Sequence, residues 1–404
     1  MIDIFSKRSA FATNPIREED TAAEHLEREG THVIKLNTGD PAVYMPTPRY
    51  IIDAYVRALQ EGRTSYSRSE GITALADAVA HRYSRMYGVD FGGDAVVVTQ
   101  GISEGLGIIN SALIDEGDRA CIFRPYYPAY MTNLRLAGGE AVRCGYNEDS
   151  GWSIDTDEVE KALGQAGGVI KYMLITNPNN PTGTVLGRDV LSELVDIAND
   201  HELLIMSDEI YDEIVFNGAS FTSIAQLARG VPHVILNGVS KNFDATGFRI
   251  GFIVVPEQDE TSLALRQKFL DYVRVRLSAN TPAEYACAEA FNNVTEHTRA
   301  TKAMVAEIQD RVNYSVDLLE ENEYMSVVRP EGAFYAFPRL DLSSLAFQSD
   351  TEFVRGLLDE EHVQITRGSG FGEPSHIRLV CLPPKEILGD AINRINSFCS
   401  RHAR

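Results

Sequence analysis

The feature that most constrains this chain is an alternation along its length. Short apolar, β-branched runs at 95–99, 119–123, 172–176, 203–206, 234–236 and 250–255 each end in turn or polar residues. Helical periodicity fills stretches between and around them, at 73–87, 104–114, 188–200 and 263–275. Strands that read as continuous apolar runs are strands covered on both faces. The alternation therefore predicts an α/β fold whose mostly parallel sheet carries helices on both faces. From about residue 284 the texture changes. A long helical stretch over 284–321 leads into a smaller α+β tail, with strands near 326–329, 334–337, 363–366 and 376–381. We expect a large domain over 46–283 and a smaller unit built from 1–45 and 284–404. The length of 404 residues suffices for two such cores.

Charge and cysteine usage narrow the function classes. A formal charge of −21 argues against nucleic acid or an anionic membrane as the main partner. The five cysteines are scattered, with no CxxC and no Cys/His spacing for zinc, so free thiols in a reducing compartment are expected and no metal. The first twenty residues hold no apolar signal core, and no apolar run approaches the ~18 residues of a membrane span. The expectation is a cytoplasmic protein.

Against that background Lys241 stands out. The chain has eight lysines and 29 arginines, and this lysine closes the run Gly238-Val239-Ser240-Lys241, shortly before Gly247-Phe248-Arg249-Ile250-Gly251. A lysine in surroundings that disfavour charge attacks an aldehyde to form a Schiff base, and an arginine holds a phosphate through a planar fork. Together they suit pyridoxal 5'-phosphate; taken alone, they are equally a surface lysine and a structural arginine.

Other unusual residues follow strand after strand, on the side where open α/β sheets bind ligands. After 95–99 comes Gly101-Ile102-Ser103, opening a helix whose free N–H groups suit an anion or simply a cap. After 119–123, the ring of Tyr127 sits in a Pro-Tyr-Tyr-Pro run, suited to stacking on a flat cofactor or to packing. After 172–176, the polar run 177–183 presents Asn180. After 203–206, Asp208 would lie in a low-dielectric crevice and needs a cation, for which a protonated pyridine nitrogen serves; capping the next helix is the other reading. Five such coincidences in one crevice favour a phosphorylated ring cofactor.

NPNNPTG (177–183), SDEIYDE (207–213) and NGVSKNFDATGFRIG (237–251) resemble the motifs of class I/II aminotransferases, the fold-type-I enzymes that use pyridoxal phosphate. The resemblance runs from LNTGDP (36–41) to HIRLVCLPP (376–384). RVRLSANTPAEYA (274–286), PEGAFYAFP (330–338) and GSGFGE (368–373) are most similar to archaeal-type alanine aminotransferases. The resemblance implies that Lys241 binds the cofactor covalently and then shuttles the substrate proton, with Asp208 on the ring nitrogen. It implies Tyr211 and Asn180 on the ring's phenolic oxygen, and Tyr127 on the ring face. Arg249, Ser103, Ser240 and the amides near Gly101 and Ile102 would hold the phosphate. Arg378 would clamp the substrate α-carboxylate, with Gly39 letting backbone approach it. Tyr66 would reach the phosphate of a neighbouring subunit, which implies a homodimer with shared active sites.

Two positions depart from the pattern. Gly238 stands where many relatives carry a phosphate-binding serine. Asp244 stands where they carry small or apolar side chains, and it reads as a solvated loop charge. The implied reaction moves an amino group between a small L-amino acid, alanine first, and 2-oxoglutarate, in ping-pong fashion. Aspartate or aromatic amino acids are the alternative donors, and a pyridoxal-phosphate-dependent β-lyase is a second class. An aminotransferase-like ligand sensor is a third, disfavoured by the acidic charge. For a second basic residue facing the substrate side chain, Arg274 and Arg276 lie near the right stretch.

Overall fold

The computed structural model describes residues 4–256 and 259–404. Its centre is an eight-stranded sheet of β1 (Val96–Thr99), β2 (Arg119–Arg124), β3 (Glu140–Asn147), β4 (Ser153–Ile154), β5 (Ile170–Thr176), β6 (Leu204–Asp208), β7 (His233–Gly238) and β8 (Gly251–Val254). The order is β1-β8-β7-β6-β5-β2-β3-β4. β8 runs antiparallel to both its neighbours and β4 antiparallel to β3; the other pairings are parallel.

Alternate residues of each strand feed two different cores, the expected consequence of a period of two. Val96, Val98, Ile205, Ile235, Phe252 and Val254 face one cluster, which also takes Leu75 and Val79 from the helix Thr73–Tyr87 and Leu191 and Leu194 from Arg188–Asp200. Val97, Leu204, Met206, Val234, Leu236 and Ile253 face the other, with Leu106 and Ile109 from Ile102–Leu113 and Phe269 and Val273 from Glu260–Arg276. Each fully buried aliphatic side chain contributes about 1.5–3 kcal/mol. The sheet is thus held between two apolar layers, as the continuous runs predicted.

A third cluster gathers Met304, Ile308, Val312, Leu357, Ile377, Leu379, Leu388 and Ile395 from the C-terminal part, together with Ile34 and Leu36. It covers a small antiparallel sheet in which Ile377–Val380 lies between Tyr335–Ala336 and Thr366–Arg367. The expected single helix over 284–321 is two: Thr281–Asn292 and Val294–Glu320. Asn293 ends the first, and its side chain caps the second by accepting from the Glu296 amide. β3 places exposed Glu140 and Arg143 among buried residues and β4 is only two residues long, so neither is expected from apolar runs. None of the described residues forms a helix long and apolar enough to cross a membrane, and none forms a group of three or more His, Cys, Asp or Glu able to hold a metal. All five cysteines are buried and free.

Candidate active site

A cleft of about 300 Å³ opens beyond the carboxyl ends of the parallel strands. Asp208 ends β6, and Ser240 and Lys241 follow β7. Tyr127 and Asn180 follow β2 and β5, and Ile102 and Ser103 follow β1. The small sheet delivers Arg378 from its central strand and Tyr335 from its neighbour. Tyr211, Gly39 and Arg249 complete the set of predicted residues on the lining, and Gly101 lies directly behind Arg249. Tyr66 does not line the cleft of its own chain; it stands 79% exposed elsewhere, in a segment tied down by Glu284, which accepts from Ser67 and from the Ile72 amide.

The local reasons are readable. Gly101 has φ 74, open to glycine alone at its ψ of 168, and a Cβ there would strike the Arg249 guanidinium. Only glycine therefore lets the helix N-terminus and Arg249 meet. Arg249 itself is left-handed at φ 55, held by donation from Nη1 to the Thr246 carbonyl at 2.9 Å. Gly238 is explained too. It pairs with Gly251 across β7 and β8, and a Cβ would lie 2.8 Å from the Ile250 oxygen, so no serine fits.

Electrostatics sort the titratable groups. Burial pulls the Lys241 amine down to about 8, although Asp40 opposes this; its Nζ donates to the Gly39 carbonyl at 2.6 Å. Burial pushes Asp208 up to about 6, partly offset by Tyr130, whose hydroxyl donates to Oδ2 at 2.7 Å. Arg378 is 1% exposed. Its Nη1 donates to Asn180 Oδ1 at 3.0 Å and its Nη2 to the Asn37 carbonyl, while Nε has no partner among the described residues. The guanidinium lies 4.6 Å from the Tyr335 ring and 4.8 Å from that of Phe371. Tyr211 and Tyr335 share a hydroxyl–hydroxyl bond of 2.8 Å.

Asp244 corrects the sequence reading. It is not solvated: it is 5% exposed, its Oδ1 lacks a partner among the described residues, and burial with Asp40 nearby raises it to about 7. Arg274 and Arg276 are also elsewhere. The first pairs with Asp271 at 3.5 Å; the second donates to Glu104 at 3.0 Å and to the Val98 carbonyl at 2.8 Å.

Among the lining residues that escaped the sequence reading are Arg17, Tyr130 and Tyr335, with Asp40 and Thr246 beside Lys241. Tyr130 follows Tyr127 by one helical turn on Pro128–Ala137, a spacing that shares a face. Tyr130→Phe should push Asp208 above about 6 by removing a donor to its charged form. It should slow turnover roughly tenfold, a loss of 1–2 kcal/mol; infrared titration of the apoprotein carboxyl and kcat/KM check both.

The donor set fits a molecule that is anionic at one end and cationic within its ring. An exposed guanidinium beside a helix N-terminus suits a phosphate. A buried carboxylate already pushed upward gains from a cation, and the unpartnered Arg378 Nε suits a carboxylate. Residues 31–395 match the family model for aminotransferases of class I and II. The chain is 34% identical to an aspartate aminotransferase of Bacillus subtilis over 391 residues, 94% of this chain and 95% of that one. It is 33% identical to an alanine aminotransferase of Mycobacterium tuberculosis over 382 residues, covering 93% and 87%. A solved alanine aminotransferase from Pyrococcus furiosus superposes with a TM-score of 0.93 at 34% identity, covering 98% of this chain and all of the other.

Fold, site and matches together make the class plain: the chain belongs to the class I and II aminotransferase family. It is a pyridoxal-phosphate-dependent transaminase.

Proposed function

We propose that this chain exchanges an amino group between alanine and 2-oxoglutarate. The observation that carries the reading is that, besides Arg249, two arginines line one cleft with Lys241: Arg378, and Arg17, whose Nη1 donates to Asp20 at 3.2 Å and leaves other donors free. A dicarboxylate acceptor suits two guanidinium groups. An alanine methyl needs no polar partner, and Ile16 beside Arg17 offers apolar surface. Named alanine aminotransferases among the relatives support the donor; aspartate is the second reading, favoured by the aspartate aminotransferases among them.

Pyridoxal phosphate, when bound, supplies an aldehyde and an electron-withdrawing ring. The protein's own groups do the rest. Arg249, Ser103, Ser240 and the amides of Gly101 and Ile102 would hold the phosphate, and Tyr127 would cover the ring. Asp208 would pair with the protonated ring nitrogen, with Tyr130 behind it. Tyr211 and Asn180 would donate to the phenolic oxygen. Arg378 would orient the α-carboxylate with Gly39 beside it, and the Lys241 amine would carry the proton from the substrate Cα to the former aldehyde carbon. The exposed Tyr66 serves the phosphate of a second copy, making a homodimer. The same reading divides the chain at 46–283; the C-terminal apolar cluster with Ile34 and Leu36 supports a separate small unit, while Cys287 and Phe291 pack with the large one.

A panel of amino donors against 2-oxoglutarate and pyruvate tests the assignment, with alanine expected fastest. Alanine alone should yield one equivalent of pyruvate per site and no ammonia; continuous ammonia release would mean a lyase. Arg17→Gln should raise the KM for 2-oxoglutarate about tenfold, while that for alanine changes less than about twofold. Equal shifts for both would remove Arg17 from acceptor recognition.

A further inference from the structure

A second cleft, of about 730 Å³, lies between the N-terminal segment and the edge of the central sheet. Five cations line it: Lys7 and Arg8 from the segment Lys7–Phe11, Arg124 from β2, Arg135 from the helix Pro128–Ala137, and Arg143 from β3. Two carboxylates, Glu116 and Glu140, lie among them. Glu116 is taken by Arg8 at 2.9 Å, and Glu140 by Arg119 at 3.3 Å. Lys7, Arg124, Arg135 and Arg143 form no ion pair among the described residues. All three arginines act electrostatically on Tyr126. Burial raises its phenol, and Arg135, Arg143 and Arg124 pull it back. In a chain of formal charge −21, gathering unpaired cations in one concavity costs free energy through repulsion unless an anion offsets it.

The cleft also adjoins the catalytic machinery. Tyr126 precedes Tyr127, and its amide donates to the Phe371 carbonyl at 3.0 Å. The segment carrying Lys7 and Arg8 is seated by the Arg135–Phe11 contact and by Thr132, which donates to the Thr13 carbonyl at 3.2 Å. It then runs directly into Ile16 and Arg17 on the catalytic lining. We propose that this cleft binds a diphosphate-class small molecule, and that the bound anion fastens the N-terminal segment so that Arg17 is held at the catalytic mouth. Planar guanidinium forks from three elements match two adjacent phosphoryl groups.

The test uses the cofactor-loaded enzyme, so that the Arg249 site is filled, with inorganic pyrophosphate as probe near 0.15 M salt. Calorimetry should give saturable binding, weakened at least about tenfold in Arg124→Ser/Arg143→Ser. Both positions are exposed and lie outside the catalytic lining, so basal turnover should persist. Pyrophosphate should also slow tryptic cleavage after Lys7 and Arg8, and lower the KM for 2-oxoglutarate, in the parent and not in the double variant. Adenosine diphosphate binding more tightly than pyrophosphate would identify a nucleotide as the source; equal binding would identify the diphosphate unit itself. Heats matched by sodium chloride at equal ionic strength, or binding retained by the double variant, would overturn the proposal. Specific binding without any change in cleavage or KM would overturn the fastening of Arg17.

Discussion

Lys241→Ala is expected to lower turnover by about 10⁴-fold or more, because it removes the group proposed to carry the substrate proton together with the covalent anchor. The variant should still fold, since the lost amine makes one hydrogen bond, to the Gly39 carbonyl. Borohydride should fix no cofactor on the 237–251 peptide of the variant, whereas it should label the parent there. A pH signature accompanies this. Burial holds the Lys241 pKa near 8 in the folded chain, below the ordinary 10.5 of the unfolded one. Below pH 8 both states carry the proton, and the folded state bears the full cost of the charge. Between about 8 and 10.5 the folded state has released it while the unfolded state has not, so apoprotein stability rises with pH through this window. That rise should be missing in Lys241→Ala, and denaturant titrations across the window read it. An identical pH dependence in both proteins would remove the buried amine from the account.

Arg378→Ala should lower kcat/KM for amino acids by about 2–4 kcal/mol, or roughly 30- to 1000-fold. The guanidinium is buried beside two aromatic rings, Nη1 and Nη2 make one hydrogen bond each and Nε makes none among the described residues, so the fork still has capacity for a carboxylate. Arg378→Lys restores charge but not the planar fork and should recover only part of the loss. A simple amine such as ethylamine separates this role from a general disturbance of the fold. Its slow reaction should be nearly unchanged in the variant, because it brings no carboxylate to the site. Equal losses for alanine and ethylamine would count against the clamp.

The strands most visible in the sequence are those buried on both faces, where most side chains are apolar. β6 and β7 are buried at every position; their apolar parts were read at 203–206 and 234–236, while the buried polar ends Ser207, Asp208 and Asn237 fell outside those runs. β3, with exposed Glu140 and Arg143, carries the mixed signal of a strand near a sheet edge and was not expected, whereas the short strands Tyr335–Ala336, Val363–Gln364 and Ile377–Val380 fall within runs expected at 334–337, 363–366 and 376–381. The break at Asn293 was missed for a related reason: helix follows helix without a glycine or proline between them.

The sequence by itself determined which residues stand at the strand ends. Lys241, Asn180 and Arg249 sit in turns just past strand ends, with conformations shaped by neighbouring prolines, glycines and polar residues, Asp208 ends β6 itself, and a parallel sheet brings its strand ends to one side whatever the detailed packing. Tertiary structure alone decided what depends on distant segments meeting. It placed Arg17 beside the same cleft as Arg378, set Tyr130 against Asp208, and buried Asp244, which the sequence read as solvated. The reason is physical: a turn is dictated by the residues within it, whereas the dielectric around a charge is set by whatever else packs there.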